Sequence, residues 1–145
     1  MTPAEARAWL LIVHAAVTLY MAGVIWFVQI VHYPLFSRVG HPGFGEYERE
    51  HVRRTGRVVA GPMLAELASA VAVVWDVRGP LAWIGLALVG VIWVSTWLWQ
   101  VPAHRRLDAG FDAVAHRRLT RTNWVRAAAW TVRSVIALTL AAACR

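Results

Sequence analysis

Two short segments of this sequence each end an apolar run with a glutamine, a proline and a histidine. They read VQIVHYPLF, which contains Gln29 and His32, and WQVPAH, which contains Gln100 and His104. An imidazole accepts or releases a proton near neutral pH, so a well-placed histidine can remove a proton from an acidic C–H or O–H bond. These segments therefore indicate general-base chemistry at His32 or His104.

A base of this kind needs donors that stabilise the negative oxygen formed when the proton leaves. The segment TNWVR supplies an amide and a guanidinium group, and tryptophan rings can form the walls of a pocket for an apolar ligand. The first hypothesis is proton abstraction from a small lipophilic aromatic or quinone-like molecule. Its catalytic residues would be His32, His104, Asn123 and Arg126, and its substrate-binding residues Gln29, Gln100, Trp97 and Trp130. Tryptophans also form interfacial belts in ordinary membrane proteins, and we favour that role for the tryptophan set as a whole.

The same histidines allow a second hypothesis, a metal or haem site. His32, His51 and His104 would provide imidazole ligands and Glu66 a carboxylate, which together suit Fe, Cu or Zn. No two histidines have the i, i+4 spacing of strong metal motifs, and a single cysteine, Cys144, allows neither an internal disulfide nor a cysteine-rich site. The cofactor therefore stays open between none and a transition metal or haem.

These residues belong to a chain that is too apolar for a soluble domain. Of its 145 residues, 59% are hydrophobic and 16% are charged, against about 45–50% and about 25% in soluble domains. A helix needs roughly 20 mostly apolar residues to cross a bilayer, and four segments approach that length: 9–31, 58–77, 81–101 and 124–144. The sequence predicts an all-α, four-transmembrane-helix bundle forming a single domain, residues 1–145. The first run is too long for a signal peptide, so we expect it to be retained.

The arginines predict how the bundle lies in the membrane. All 15 basic residues are arginine, and they cluster after the first span and after the third. Because cytoplasmic loops are enriched in arginine and lysine, we expect both termini outside and the second and fourth helices extending into the cytoplasm. The net charge of +7 fits contact with anionic headgroups better than contact with nucleic acid. The predicted partners are membrane lipid and a small lipophilic molecule, with no nucleic acid; the oligomeric state stays open.

Polar residues within the helices form lines when each residue advances the helix by 100°. The first helix presents His14, Thr18, Met21, Ile25, Gln29 and His32. The third presents Trp93, Trp97, Gln100 and His104. These lines predict a polar chamber that opens to the cytoplasm. At the start of the second helix we expect the side chains of Glu46, Glu48 and Glu50 to face water, and further along we expect a kink at Pro62.

Two charged residues lie much deeper in the predicted spans. Glu66 and Arg133 are each roughly 12–14 Å into their spans at the rise of an α-helix. Either charge alone would cost several kcal/mol in a low-dielectric setting, so we predict a buried ion pair between them. A third hypothesis follows, in which the protein is a non-catalytic scaffold or small transporter and this pair fixes helix packing.

Three segments resemble the anthrone oxygenases and related small four-helix membrane proteins. They are GVIWFVQIVHYPLF, QVPAHRRL and RRLTRTNWVRAAAWTVRS. The resemblance covers most of the chain in layout, and its motifs are specific where the first and third helices end and the fourth begins. It implies oxidation of a polycyclic phenolic carbon to a quinone by molecular oxygen without a metal or organic cofactor, and location in a bacterial inner membrane.

The resemblance also assigns residues. Asn123, Arg126 and Trp130 match the family's motif on the fourth helix. The chain departs from the family at His104, where asparagine is common, and at His32 and His51, which are not general. These extra histidines keep the metal hypothesis open beside the oxygenase hypothesis.

Overall fold

A computed structural model describes residues 1–143 as four long helices and, within that range, no β-strand. They are α1 (Pro3–Arg38), α2 (Phe44–Val77), α3 (Pro80–Asp108) and α4 (Ala113–Ala143). The last residue of the fourth predicted span, Cys144, lies outside the described residues. The predicted fold class, an all-α four-helix bundle, is confirmed.

Each helix is long and apolar enough to cross a membrane, which is the mark of an integral membrane protein. Consecutive helices pack side by side, and α4 closes the bundle by packing along α1 as well as α3. The ends of α1 and α3 therefore meet the starts of α2 and α4 at one end of the bundle. We call this end, where the arginine-rich connections lie, the polar end.

Local signals explain where the helices begin and end. At the start of α1 the hydroxyl of Thr2 accepts a hydrogen bond from the Glu5 N–H at 3.2 Å, and the Glu5 carboxylate accepts one from the Thr2 N–H at 2.7 Å. Between α2 and α3, Arg78 adopts a left-handed conformation with φ of 53°, and Pro80 opens α3. Such a tight turn orients α2 and α3 in opposite directions.

Helix α4 begins at Ala113, ahead of the apolar segment that starts at residue 124, as expected for a helix that extends beyond its span. Asp112 stands before the helix and caps it, since its carboxylate accepts hydrogen bonds from the N–H groups of Val114 and Ala115 at 2.7 and 3.1 Å. These backbone donors, that of Ala115 first, lower the pKa of Asp112 from its ordinary value.

Helices α1 and α3 share an irregularity at the polar end. Each contains one five-residue π-helical turn, Val28–His32 in α1 and Thr96–Gln100 in α3. Two residues after each turn stands a proline, Pro34 or Pro102, which lacks the N–H that a regular helix would use. The backbone accommodates one extra residue at each place. By contrast, α2 runs through Pro62 as an uninterrupted α-helix.

The π turns change which side chains face inward. Along α3 the buried positions are spaced by three or four residues up to Ser95, and the next is Gln100, five residues later. The predicted inner line through Trp97 is therefore wrong, because Trp97 is 61% exposed. In α1 the turn leaves Gln29 buried and His32 half-buried, and brings the side chain of Tyr33 into the interior.

Candidate functional site

A chain of polar side chains crosses the bundle at the polar end. Glu48 of α2 lies 2.5 Å from His104 Nδ1 of α3, and His104 Nε2 lies 3.1 Å from the hydroxyl of Tyr33 in α1. The guanidinium of Arg126 in α4 lies near the side chain of that tyrosine. We call these four residues, one from each helix, the polar relay.

Each donor in the polar relay can be assigned from chemistry. The Glu48 carboxylate only accepts, so His104 Nδ1–H donates to it, and Nε2 is then free to accept from the Tyr33 hydroxyl. Arg126 only donates, so it stabilises negative charge on the tyrosine oxygen. A carboxylate that orients an imidazole toward a hydroxyl is the arrangement that makes the imidazole an effective base.

The burial of Glu48 differs most from what the sequence predicts. The acidic cluster predicts that Glu48 faces water with Glu46 and Glu50, yet its side chain is 0% exposed, whereas Glu46 is exposed. Glu48 follows buried Phe44 by four residues and precedes buried His51 by three, so the three share one face of α2. That spacing was a signal available in the sequence.

Tyr33 was also absent from the predicted site. Its hydroxyl reaches His104, and its backbone carbonyl accepts a hydrogen bond at 2.7 Å from Nε2 of His116 in α4. Both contacts depend on the π turn that precedes Tyr33. The following Pro34 was the one sequence signal for such a turn.

Two further histidines lie beside the polar relay. His32 Nε2 is 2.7 Å from His51 Nδ1, and Thr55 Oγ1 is 3.1 Å from the same His51 nitrogen. The rings of His51 and His104 have centroids 5.3 Å apart. Because one imidazole must donate and the other accept, the pair of His32 and His51 cannot hold this contact when both are protonated.

The four residues of the metal hypothesis are not brought together. Glu66 follows His51 by 15 residues on α2, about 22 Å at 1.5 Å per residue, so it cannot share an ion with the histidines. Within residues 1–143, no group of three or more histidine, cysteine, aspartate or glutamate side chains is arranged to hold a metal ion.

The predicted amide and guanidinium residues form a network between α4 and its neighbours. Asn123 Nδ2 donates to Gln29 Oε1 at 2.8 Å, and Arg126 Nη1 donates to Asn123 Oδ1 at 3.1 Å. Gln29 in turn donates to the Thr120 carbonyl at 3.2 Å. On the other side, Gln100 Oε1 accepts from the Thr122 hydroxyl at 3.4 Å. The network joins the polar relay through Arg126.

Among the described residues, three buried polar atoms have no hydrogen-bond partner: Glu48 Oε2, Gln100 Nε2 and Arg126 Nε. All three belong to the polar relay or to the network beside it. An unsatisfied buried group costs about 1–3 kcal/mol, so natural proteins seldom keep one without a reason. One acceptor and two donors at this end are therefore without a partner among the described residues.

Trp130 lies on the inner side of the network. Its ring is fully buried, with the guanidinium of Arg126 5.2 Å from the ring centroid. Its Nε1–H donates to both oxygens of Glu66, at 3.0 and 2.8 Å. The ring is thus enclosed by protein, between the polar relay and the deeper charges.

Glu66 and Arg133 are paired in the bundle interior. Arg133 Nε lies 3.1 Å from Glu66 Oε1, and the two side chains are almost fully buried. The remaining guanidinium nitrogens donate to the carbonyl of Gly85 and, at 3.5 Å, to the hydroxyl of Thr18. We call Glu66 and Arg133 the inner pair.

Two surface grooves flank α2 at the polar end. One, of about 370 Å³, lies between α2 and α3 and is lined by Glu48 and His104, among others. The other, of about 410 Å³, lies between α1 and α2 and is lined by His32 and Thr55, among others. We call them the α2–α3 groove and the α1–α2 groove. Both volumes fall within the ~300–1,000 Å³ of small-molecule sites.

Comparisons of the chain with protein-family models, with curated proteins and with solved structures found no match. The resemblance to anthrone oxygenases therefore depends on the sequence segments quoted above.

Proposed function

We propose that this integral membrane protein is an oxidoreductase that deprotonates a small lipophilic aromatic or quinone-like molecule and lets molecular oxygen oxidise it. The single observation that supports this best is the polar relay. A buried carboxylate, an imidazole and a phenol, from three different helices, are hydrogen bonded in order, and a guanidinium from the fourth helix lies beside the phenol. That order suits moving a proton and stabilising the oxygen anion left behind.

The reaction can be written for an anthrone, an aromatic ketone with an acidic CH₂ group opposite its carbonyl. His104, oriented by Glu48, takes one CH₂ proton directly or through the Tyr33 hydroxyl. The negative charge moves to the carbonyl oxygen, and we propose that the unpaired N–H groups of Arg126 and Gln100 stabilise it. Such donors lower the barrier because they meet charge only as it forms.

Molecular oxygen then completes the oxidation. The carbanion transfers electrons to O₂ and forms a C–O bond, and the proton held at His104 returns to give a hydroperoxide. Loss of water from the hydroperoxide produces the second carbonyl. Overall, CH₂ and O₂ become C=O and H₂O, so atoms and electrons balance and His104 ends in its starting protonation state.

We further propose a bacterial inner-membrane location with both termini outside and the polar end on the cytoplasmic side. The arginine clusters of the two connections at the polar end support this orientation. Reporter fusions test it. Alkaline phosphatase fused at the N-terminus should be active outside the cytoplasm, and the same enzyme inserted after Gly110 should be inactive. The reverse pattern would overturn the orientation.

The proposed chemistry is tested with anthrone as the probe and the full chain in lipid nanodiscs. Wild type should form anthraquinone and consume one O₂ per anthrone above the rate of empty nanodiscs. His104→Gln and Glu48→Gln should lower the rate by about 10²–10⁴. Glu46→Gln, which changes an exposed glutamate on the same helix, is the matched control and should have no effect.

Three outcomes separate the hypotheses. The proposal is overturned if wild type converts neither anthrone nor its hydroxylated derivatives. It is also overturned if His104→Gln converts anthrone at the same rate as wild type. Elemental analysis that finds stoichiometric Fe, Cu or Zn, lost in both His32→Ala and His104→Ala, would support the metal hypothesis instead.

A further inference from the structure

The two grooves beside α2 differ in what lies at their base. In the α2–α3 groove the base is formed by Glu48 and His104 of the polar relay. In the α1–α2 groove the polar groups are His32, which is already bonded to His51, together with Thr55 and Arg54. Of the residues that line the two grooves, Glu48 alone has a buried side-chain atom without a hydrogen-bond partner, Oε2.

The α2–α3 groove has its two apolar lining residues toward the middle of the bundle. Val52 and Val101 line its inner part, together with Arg53, which is bonded to Glu50. Arg49 of α2 and Asp108 of α3 line its outer part and form an ion pair of 3.2 Å across it. A ligand that enters from the bilayer would therefore meet the two valines and Arg53 before it reaches Glu48, His104 and the outer ion pair.

The charges around this groove favour a weakly acidic hydroxyl over a carboxylate. Arg49, Arg53 and Arg105 give three positive charges, and Glu48 and Asp108 give two negative ones. At the base, however, the free atom is a carboxylate oxygen, which accepts hydrogen bonds and repels an anion. A neutral phenol satisfies Glu48 Oε2 by donating its O–H, and the surrounding arginines favour its later ionisation.

We propose that the α2–α3 groove is the substrate-binding site and takes a flat aromatic molecule with a phenolic hydroxyl from the bilayer. The rings lie against Val52 and Val101, and the hydroxyl donates to Glu48 Oε2 beside His104. The inference rests on the proposed function and adds to it the place of binding, the route of entry and the group recognised.

The test measures equilibrium binding of 2-hydroxyanthraquinone to the full chain in nanodiscs, by the change in the probe's absorbance against empty nanodiscs. This probe has a free phenol and no CH₂ to oxidise, so binding is read without turnover. Val52→Trp and Val101→Trp, which fill the α2–α3 groove, should each weaken binding by roughly tenfold or more. Val58→Trp fills the α1–α2 groove and is the matched control, with binding unchanged.

Hydroxyl recognition is tested with unsubstituted anthraquinone. Wild type should bind 2-hydroxyanthraquinone at least roughly tenfold more tightly than anthraquinone, and Glu48→Gln should remove most of that preference. Equal affinities in wild type would overturn the role of Glu48. Binding lost in Val58→Trp but kept in Val101→Trp would overturn the choice of groove.

Failure of this inference is distinguishable from failure of the proposed function. If Val52→Trp and Val101→Trp convert anthrone at the wild-type rate, the groove assignment is wrong and the oxidoreductase proposal stands. If wild type binds the probe in this groove but converts no anthrone or hydroxylated anthrone, the binding site stands and the proposed reaction is wrong.

Discussion

The polar relay and the inner pair are two buried charged clusters in one bundle. They differ in whether all of their polar atoms have hydrogen-bond partners. In the inner pair every nitrogen of Arg133 and both oxygens of Glu66 have partners. In the polar relay Glu48 and Arg126 each retain an unpaired atom, and a groove reaches Glu48 and His104.

Burial of charge alone therefore does not identify a functional site in this protein. The sequence predicts that Glu66 and Arg133 form a buried ion pair, and in the structure both oxygens of Glu66 have partners. Such a pair suits a role in helix packing. The unsatisfied cluster lies nearer the polar end. The following predictions test this division between structure and function, in order of decreasing effect.

Breaking the inner pair should cause the largest loss of stability. Glu66→Gln or Arg133→Met leaves one buried charge without its partner, which costs about 3–5 kcal/mol in comparable cases. Thermal unfolding in detergent should show a large fall in Tm for each single variant and partial recovery in the double variant. Equal Tm values for wild type and Arg133→Met would contradict a packing role.

A methyl group at Gly45 should also disturb the polar end. A Cβ there would lie 2.9 Å from the Asp108 backbone oxygen, so α2 or α3 must shift. We expect Gly45→Ala to lower stability by about 1–3 kcal/mol, the usual cost of overpacking.

Gly56→Ala is the matched control on the same helix, since a Cβ there has nothing within 4 Å. It should be neutral or stabilise by up to about 1 kcal/mol through helix propensity. A fall in Tm for Gly56→Ala as large as that for Gly45→Ala would show that close helix contact is not the cause.

In the polar relay, Glu48→Gln should change stability by less than about 1 kcal/mol, because the amide oxygen still accepts from His104 and no buried charge is stranded. Its Tm should stay near that of wild type, while turnover of the anthrone probe falls. A loss of Tm comparable to that of Glu66→Gln would remove the distinction between the two clusters.

The smallest effect is expected at Asp112, where folding lowers the pKa. A lowered pKa means that the ionised carboxylate stabilises the folded chain above the ordinary aspartate range, and that this contribution disappears as the pH falls through the lowered value. Asp112→Ala should therefore lower Tm slightly at pH 7, with the difference shrinking below about pH 4.

Asp112→Asn is the control, because its side-chain oxygen can still cap α4 but does not titrate in this range. The difference in Tm between Asp112→Asn and Asp112→Ala should therefore not depend on pH. If the difference in Tm between wild type and Asp112→Ala stays constant between pH 7 and pH 2, the carboxylate is excluded as its source.

The fold was predictable because bilayer thickness sets the length of apolar runs, and four such runs are plain in the sequence. Glu66 and Arg133 could be selected for a similar reason, since the depth of a charge follows from residue number in a regular helix. Both arguments need only uniform helical geometry.

The site was predictable only in part because that geometry changes at the π turns. Counting at 100° per residue placed Trp97 inside, where Thr96–Gln100 turns it outward. The same count gave no reason to expect the side chain of Tyr33, rather than that of His32, to face the interior. Glu48 was missed for another reason, since its acidic neighbours suggested a solvated helix start although its spacing from Phe44 indicated a buried face.

The surplus residue in each π turn also sets how the two halves of α1, and of α3, are rotated relative to each other. Winding the same residues as a regular α-helix would rotate everything beyond the turn by about 100° relative to the part before it, whereas deleting Ile30 would restore regular winding and keep that orientation. With the turn in place, Tyr33 faces the interior and its hydroxyl reaches His104. The π turn of α1 therefore sets which aromatic side chain belongs to the polar relay.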